Sequence, residues 1–324
     1  MRAFTVSGGR RLILVPVSAP TPDRVSGSGL AFAVSAYLLW GILPVLFVAL
    51  VPSSAVEIMA WRIVLSLAFC AILLTFTRAW PRLVAILRDR SAMLALSLAA
   101  ALILVNWLVY VAASISGHIV EAALGYFTNP IVTVLLGVVV LRERLRPLQW
   151  TALAISAVAV LILAIGYGAF PWIALTLAFS FGLYGLVKKR VGGRVDAVGG
   201  LTIETAILSP LALAALGVLA ATSALTIGTQ GALHTTLLLS AGVVTAVPLI
   251  MFAAAARRLP LTYMGLAQYL APVLQLLVGV FLLHEEMPLE RWLGFGIVWL
   301  ALAILTVDMF LHNGRQRALA NETP

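Results

Sequence analysis

The sequence predicts an all-α integral membrane protein in which ten transmembrane helices form two inverted repeats of five helices. Composition is the first reason. Of the 324 residues, 62% are hydrophobic and only 10% are charged, whereas a soluble domain carries about 25% charged residues. The chain also divides into long apolar segments, and one stretch of 30 residues recurs later without a gap. The lipid bilayer is therefore the expected solvent for most of the chain.

Ten segments are long and apolar enough to cross a bilayer, which takes about 20 residues in a helix. We expect them to cover approximately residues 29–50, 55–77, 91–113, 119–140, 148–166, 169–187, 198–221, 233–255, 260–283 and 291–311. Residues 1–28 are rich in Pro, Ser and Gly and predict a disordered cytoplasmic tail. A signal peptide is the alternative, but its apolar run is short and contains Pro16. Residues 312–324 form a second predicted tail.

The internal repeat relates residues 121–150 to residues 263–292 at a fixed offset of 142 positions. The matched pairs include Leu124 with Leu266, Pro130 with Pro272, Gly137 with Gly279, Glu143 with Glu285 and Trp150 with Trp292. Unrelated apolar helices share Leu and Val, but they seldom share Pro, Glu and Trp at one offset. We therefore predict two homologous halves, residues 29–166 and residues 167–311. Such halves usually frame a transport site in membrane proteins.

The Lys and Arg residues set the orientation, because the cytoplasmic connections of membrane proteins are enriched in these residues. With the N-terminus inside, nineteen of the 21 Lys and Arg residues fall in cytoplasmic segments. Of the other two, Arg291 falls outside and Arg62 falls within a span. Both termini are therefore expected in the cytoplasm. Each half has five spans, an odd number, so the two halves must cross the bilayer in opposite directions.

Five segments of the chain resemble one family of membrane proteins. They read AYLLWGILPVLF, NWLVYVAA, EAALGYFTNPIVTVLLGVVVLRERL, AFSFGLYGLVKKR and IETAILSP. They resemble the RarD-type permeases, which are EamA-domain members of the drug/metabolite transporter superfamily. The resemblance covers approximately residues 29–311 and omits the long N-terminal tail. It implies two EamA repeats in the bacterial inner membrane that move small metabolites or drugs, and RarD proteins are associated with chloramphenicol sensitivity.

Other function classes lack their motifs. The sequence has no GxxxxGKS/T phosphate loop, so we do not expect ATP hydrolysis. It has no HExxH or CxxC motif and a single cysteine, Cys70, so we expect neither a metal nor another cofactor. No nucleophile–base pair indicates an enzyme. The net charge of +9 comes from basic residues scattered between apolar runs, which reports topology rather than a nucleic-acid partner.

Polar residues inside the predicted spans are the candidates for binding, because a charge at the bilayer centre costs about 2.5–3.5 kcal/mol on insertion scales. Arg62, Asn106, Tyr110 and Glu121 all fall in the outer half of the bilayer and could converge. One interpretation is an Arg that binds an anion or carboxylate, with a titratable Glu beside it. The alternative is a buried Arg–Glu pair that only holds two helices together. Glu57 is expected at the wet interface.

Matching prolines indicate a second feature of the site. Pro130 lies near the middle of the fourth span, and Pro272 occupies the equivalent place in the ninth span. Proline removes a backbone donor and loosens the preceding turn, and helices interrupted at the midplane often expose carbonyl groups to a cavity. The alternative is that these residues only permit close packing. The neighbouring candidates for substrate binding are Tyr126, Asn129, Gln268 and Tyr269.

Glu204 is the candidate acid of the inner half, as Glu121 is of the outer half. We hypothesise that one of them titrates and couples substrate movement to protons, because an unpaired buried carboxylate resists ionisation. The predicted function is a secondary transporter for a small molecule, anionic or carboxyl-bearing if Arg62 binds it. The alternative is a membrane-embedded ligand sensor that moves nothing. The sequence leaves open whether the chain acts as a monomer or a homodimer.

Overall fold

The computed structural model describes residues 27–141, 145, 147–166, 170–191, 194–256, 258 and 267–322, and these residues are helical apart from short connections. The helices are α1 Gly27–Ala49, α2 Ala55–Phe76, α3 Trp80–Arg88, α4 Arg90–Ile115, α5 Ile119–Leu141, α6 Pro147–Gly166, α7 Trp172–Val191, α8 Ala197–Ala221, α9 Gly231–Ala256, α10 Leu270–Leu277 and α11 Leu289–Glu322. A π-helical turn, Val278–Leu282, continues α10. The first 26 residues of the predicted N-terminal tail lie outside the described residues.

Seven of the described helices are long and apolar enough to cross a membrane: α1, α2, α4, α5, α8, α9 and α11. Three shorter apolar segments lie in α6, α7 and α10 with its π-helical turn. These ten elements fall on the ten predicted spans. The ninth span is described only from residue 267 onward. The backbone of α11 continues as a helix beyond the tenth predicted span, through the predicted C-terminal tail, to Glu322.

Side-chain caps fix where several helices begin. Ser54 accepts a hydrogen bond from the Glu57 backbone N–H at the start of α2, and Asp196 accepts one from Gly199 at the start of α8. Asp89 accepts from the N–H groups of Ser91 and Ala92 at the start of α4. These oxygens satisfy donors that the first helical turn leaves unpaired. The Ala92 N–H holds the pKa of the exposed Asp89 carboxyl below its usual value.

Helix packing repeats with the sequence offset. Helices α2 and α8 start 142 residues apart, and so do α6 and α11. The main contacts pair α1 with α9 and α10, α7 with α4 and α5, α2 with α8 and α9, α4 with α8, α5 with α10, and α6 with α11. The offset makes α7, α8, α9, α10 and α11 the counterparts of α1, α2, α4, α5 and α6, in that order. Replacing each helix by its counterpart turns the α1–α9 pair into α7–α4 and the α2–α9 pair into α8–α4. The set of contacts is therefore unchanged when the halves are exchanged.

The bundle has two polar ends and an apolar outer surface. We call one end the His118 end, formed by residues 50–54, 116–118, 222–230 and 283–288, and the other the Asp89 end, formed by residues 77–90 and 194–196. The described basic residues at or near the Asp89 end are Arg78, Arg82, Arg88, Arg90, Lys188, Arg190, Arg194 and Arg258. Within the described residues, the His118 end has Arg291. Large apolar side chains such as Phe76 and Leu94 face outward, as contact with lipid requires.

Candidate functional site

Arg62 lies buried between four helices near the His118 end. Its Nε donates a hydrogen bond to Thr245 Oγ1 of α9 at 2.6 Å. The guanidinium carbon lies 4.3 Å from the Trp107 ring centroid and 5.6 Å from that of Phe47. The Nη1 atom is buried and has no hydrogen-bond partner. Arg62 is thus stabilised by two aromatic faces and one hydroxyl, with donor capacity left over.

The structure does not bring Arg62 and Glu121 together, so the buried Arg–Glu pair considered as an alternative does not form. Within the described residues, Arg62 has no carboxylate partner. Glu121 Oε1 instead accepts a hydrogen bond from the Ile173 backbone N–H at 3.2 Å. That N–H belongs to the first turn of α7, where unpaired donors and the helix dipole attract a carboxylate. The position of each residue along its predicted span indicates the half of the bilayer in which it lies, but not the direction in which its side chain points.

Asn106 and Tyr126 form a hydrogen-bonded bridge beside Arg62. The Asn106 amide nitrogen donates to Leu177 O at 3.1 Å and to Ser180 Oγ at 3.0 Å. Its Oδ1 accepts from the Tyr126 hydroxyl at 3.0 Å. The bridge therefore ties α4 and α5 to α7, and both polar atoms of the amide have hydrogen-bond partners.

Tyr110 connects this bridge to Arg62. Its ring packs edge-on against Phe47 and Tyr126, with centroids 5.9 Å and 5.4 Å away. Its buried hydroxyl has no hydrogen-bond partner. We call the whole group the Arg62 cluster; its members are Phe47, Arg62, Asn106, Trp107, Tyr110, Tyr126 and Thr245. Three predicted site residues, Asn106, Tyr110 and Tyr126, thus lie together with Arg62.

A second charged group lies toward the Asp89 end. Lys188 Nζ contacts Glu204 Oε1 at 2.7 Å, and the Tyr184 hydroxyl donates to Glu204 Oε2 at 3.2 Å. The Glu204 side chain is 2% exposed and the Lys188 side chain 27% exposed. The unpaired acid assumed from the sequence is therefore paired. Because Tyr184 and Lys188 lie four residues apart on α7, they share one face, a spacing from which this pair of partners could have been noticed.

The two matching prolines have different surroundings. Pro130 lies inside α5 without interrupting the helix, whereas Pro272 is the third residue of α10, just after a turn at Gln268 and Tyr269. Tyr269 packs against the apolar cluster shared by α5, α6 and α11 rather than joining the Arg62 cluster. Asn129 Oδ1 is buried without a hydrogen-bond partner. The sequence analysis predicted a loosened or interrupted helix at both prolines, and the described residues show an interruption only beside Pro272.

Two further acids bind backbone groups at the His118 end, and sequence reasoning missed both contacts. Glu57 is fully buried rather than wet, and its carboxylate accepts from the N–H groups of Thr226 and Ile227. Glu285 accepts from Ile119 N at 2.6 Å and from Val120 N at 2.9 Å. No local pattern indicates either contact, because each partner lies more than 160 residues away in sequence. These acids fasten one half of the chain to the other.

A cavity of about 410 Å³ opens at the same end of the bundle. Its described lining residues are Ala112, Ala113, Ser116, His118, Glu121, Leu124, Phe170, Pro171, Trp172, Ile173 and Arg291. The volume lies within the range of small-molecule pockets. Glu121 and Arg291 face this cavity rather than the Arg62 cluster. Of the predicted site residues, Glu121 therefore lies at an outer cavity, whereas Arg62, Asn106, Tyr110 and Tyr126 lie together in a buried cluster.

Comparison with known proteins identifies the family. The profile of the EamA-like transporter family matches residues 27–165 and again residues 171–307. Protein RarD of Streptomyces exfoliatus is 47% identical over 90% of this chain and 92% of its own length. The uncharacterized transporter YojE of Bacillus subtilis is 41% identical over 86% of this chain and 93% of its own length.

Two more comparisons agree. The chloramphenicol-sensitive protein RarD of Pseudomonas aeruginosa is 33% identical over 88% of this chain and 95% of its own length. A solved crystal structure shares the fold, with a TM-score of 0.56 and 18% identity over 86% of this chain and 98% of that chain. The chain therefore belongs to the EamA-like transporter family, as a multi-pass bacterial membrane transporter of the RarD type.

Proposed function

We propose that this chain is a secondary transporter that carries a small metabolite or drug across the bacterial inner membrane by alternating access. In this proposal, residues 29–166 and 167–311 form two five-helix halves of opposite orientation. Two observations support it: the helix contacts are unchanged when the halves are exchanged, and the family profile matches once in each half. Inverted halves around a central site give two equivalent access states.

The distribution of charge supports one orientation. The basic side chains gather at or near the Asp89 end, and cytoplasmic connections favour Lys and Arg. We therefore place the Asp89 end and both termini in the cytoplasm and the His118 end outside. In that orientation the cavity beside Glu121 opens toward the outside, and the Arg62 cluster lies deeper in the membrane on the same side.

One observation carries the assignment of the site, namely that Arg62 is a buried cation without a carboxylate partner in the described structure. Taking an ion out of water costs several kcal/mol, and contacts with one hydroxyl and two aromatic rings offset only part of that cost. The unpartnered atoms Arg62 Nη1 and Tyr110 Oη can both donate to an anionic group. We therefore propose that the substrate carries a carboxylate or another anion and binds at the Arg62 cluster.

Reconstituted vesicles test this function. Uptake is measured for radiolabelled pyruvate, benzoate, phenylpyruvate, succinate and chloramphenicol, the last chosen because of the name of one relative. We expect flux of at least one acid, and we expect Arg62→Met to abolish it. Arg82→Met, on the exposed surface of α3, is the matched control and should leave uptake unchanged. Binding of an acid without flux would favour a sensor, and equal uptake by Arg62→Met would remove the site assignment.

A further inference from the structure

The Arg62 cluster and the Lys188–Glu204 pair occupy equivalent places in the two halves. Arg62 and Glu204 lie 142 residues apart, the offset of the internal repeat. Each lies seven residues after the first residue of its helix, α2 or α8, and these helices pack against each other. At 1.5 Å per residue, each side chain therefore starts about 10 Å from the first residue of its helix. The repeat thus places a buried cation toward one end and a buried anion toward the other.

Lys188 reaches Glu204 across Gly200, which has no side chain in the way. Its ammonium lies directly over Gly200, where an added Cβ would come within 2.6 Å of Nζ. Tyr184, one turn earlier on α7, holds the second carboxylate oxygen and lies beneath Lys188, with Nζ 5.7 Å from the ring centroid. Because the Lys188 side chain remains partly exposed while Glu204 is buried, an incoming anion meets the ammonium before it meets the carboxylate.

We propose that Lys188 is the second anion-binding residue of the transport path, and that a proton on Glu204 releases Lys188 to bind the substrate. This inference rests on the proposed transport of an anion. When Glu204 is ionised, it occupies Lys188, and an arriving anion would be opposed by a like charge. When a proton adds to a Glu204 oxygen, the acid becomes neutral, and the ammonium can pair with the substrate anion instead.

The charges balance at each step. A hydronium ion gives its proton to Glu204, so one O–H bond of the hydronium breaks, one O–H bond forms on the carboxyl and a water molecule leaves, while one anionic group replaces the carboxylate at Lys188. The reverse order leads to the same state, because a carboxylate left buried without its ammonium is neutralised by protonation. Proton and anion therefore bind together, so they should move in the same direction across the membrane.

Few other ionisable groups can share this role. Lys188 and Tyr184, both on α7, are the ionisable side chains of the described residues that act on Glu204. Helices α2, α3, α4 and α9 also pack against α8, and none of their described side chains forms an ion pair with Glu204. The coupling is thus assigned to one lysine, one tyrosine and one acid.

The test uses full-length protein in vesicles and whichever acid of the panel the wild type carries. We expect an inward proton gradient to accelerate wild-type uptake at least tenfold. Glu204→Gln should still carry the acid down its own gradient, but without acceleration by protons. Lys188→Met should reduce uptake at least tenfold, and Lys188→Arg should retain it. Since a single change can leave a buried charge without its partner, Lys188→Met combined with Glu204→Gln checks that any loss does not come from misfolding.

The outcomes separate the two proposals. If the wild type carries none of the acids, the proposed anionic substrate is wrong, and this inference fails with it. If the wild type carries an acid but ignores the proton gradient, only this inference is overturned. The same holds if Glu204→Gln keeps its acceleration by protons, or if a folded double variant carries the acid as fast as the wild type.

Discussion

Glu57 gives the sharpest stability prediction. Its fully buried carboxylate accepts from Thr226 N at 2.9 and 3.1 Å, from the Thr226 hydroxyl at 2.9 Å and from Ile227 N at 3.3 Å. These bonds join the start of α2 to the connection between α8 and α9. Glu57→Ala leaves the buried Thr226 N–H and the partly buried Ile227 N–H without an acceptor, at about 1–3 kcal/mol each. We therefore expect a loss of about 4 kcal/mol in the free energy of unfolding.

The chain supplies its own probe for this measurement. Cys70 is the only cysteine, and it is buried, so a thiol-reactive dye will report unfolding in detergent. At about 2–4 °C per kcal/mol, the loss corresponds to a fall of about 10 °C in the melting temperature. Glu286→Ala, which alters an exposed acid near the same end, should shift it by less than about 2 °C. A Glu57→Ala protein that melts together with this control would refute the reasoning.

Three further predictions concern helix packing and the charged groups. Gly242→Ala places a Cβ 2.5 Å from the backbone of α2, so we expect a loss of about 1–3 kcal/mol in the free energy of unfolding. The control Gly217→Ala meets nothing within 4 Å and should not destabilise the protein, and thermal unfolding followed by dye reaction with Cys70 distinguishes the two variants. Gly200→Ala should push the Lys188 ammonium away from its carboxylate partner and weaken proton acceleration of uptake in vesicles, and unchanged acceleration would contradict that role. Arg62→Met removes an uncompensated buried charge and should leave the melting temperature equal or higher, whereas a fall of several degrees would indicate a structural residue.

Much of the helical framework could be predicted from the sequence, because hydropathy and helix length are local properties. The second span was expected at residues 55–77 and is Ala55–Phe76, and the seventh was expected at residues 198–221 and is Ala197–Ala221. Helix α3 was missed because nine residues that include two arginines give no spanning signal. Its Leu83 and Ile86 side chains are nevertheless buried against α4 and α8.

The partners of buried charges could not be predicted, because they depend on how helices rotate and on where distant connections lie. Arg62 and Glu121 share a depth in the bilayer, yet each contacts a different helix. Glu57 looked like a surface acid because it follows a short loop, but the connection that covers it lies about 170 residues later. Of the residues predicted in the outer half of the bilayer, Asn106 and Tyr110 do lie together with Arg62, whereas Glu121 does not.

The measurement that tests the central claim most directly compares an acid with its carboxamide. The acid is the one that wild-type vesicles carry, and direct binding of the acid and of its carboxamide to the purified protein is measured for the wild type and for Arg62→Met. A buried ion pair that loses one charge costs about 2–5 kcal/mol, so the wild type should prefer the acid at least thirtyfold. We expect residual binding by Arg62→Met to show no preference. An undiminished preference in that variant would mean that the anion is recognised elsewhere.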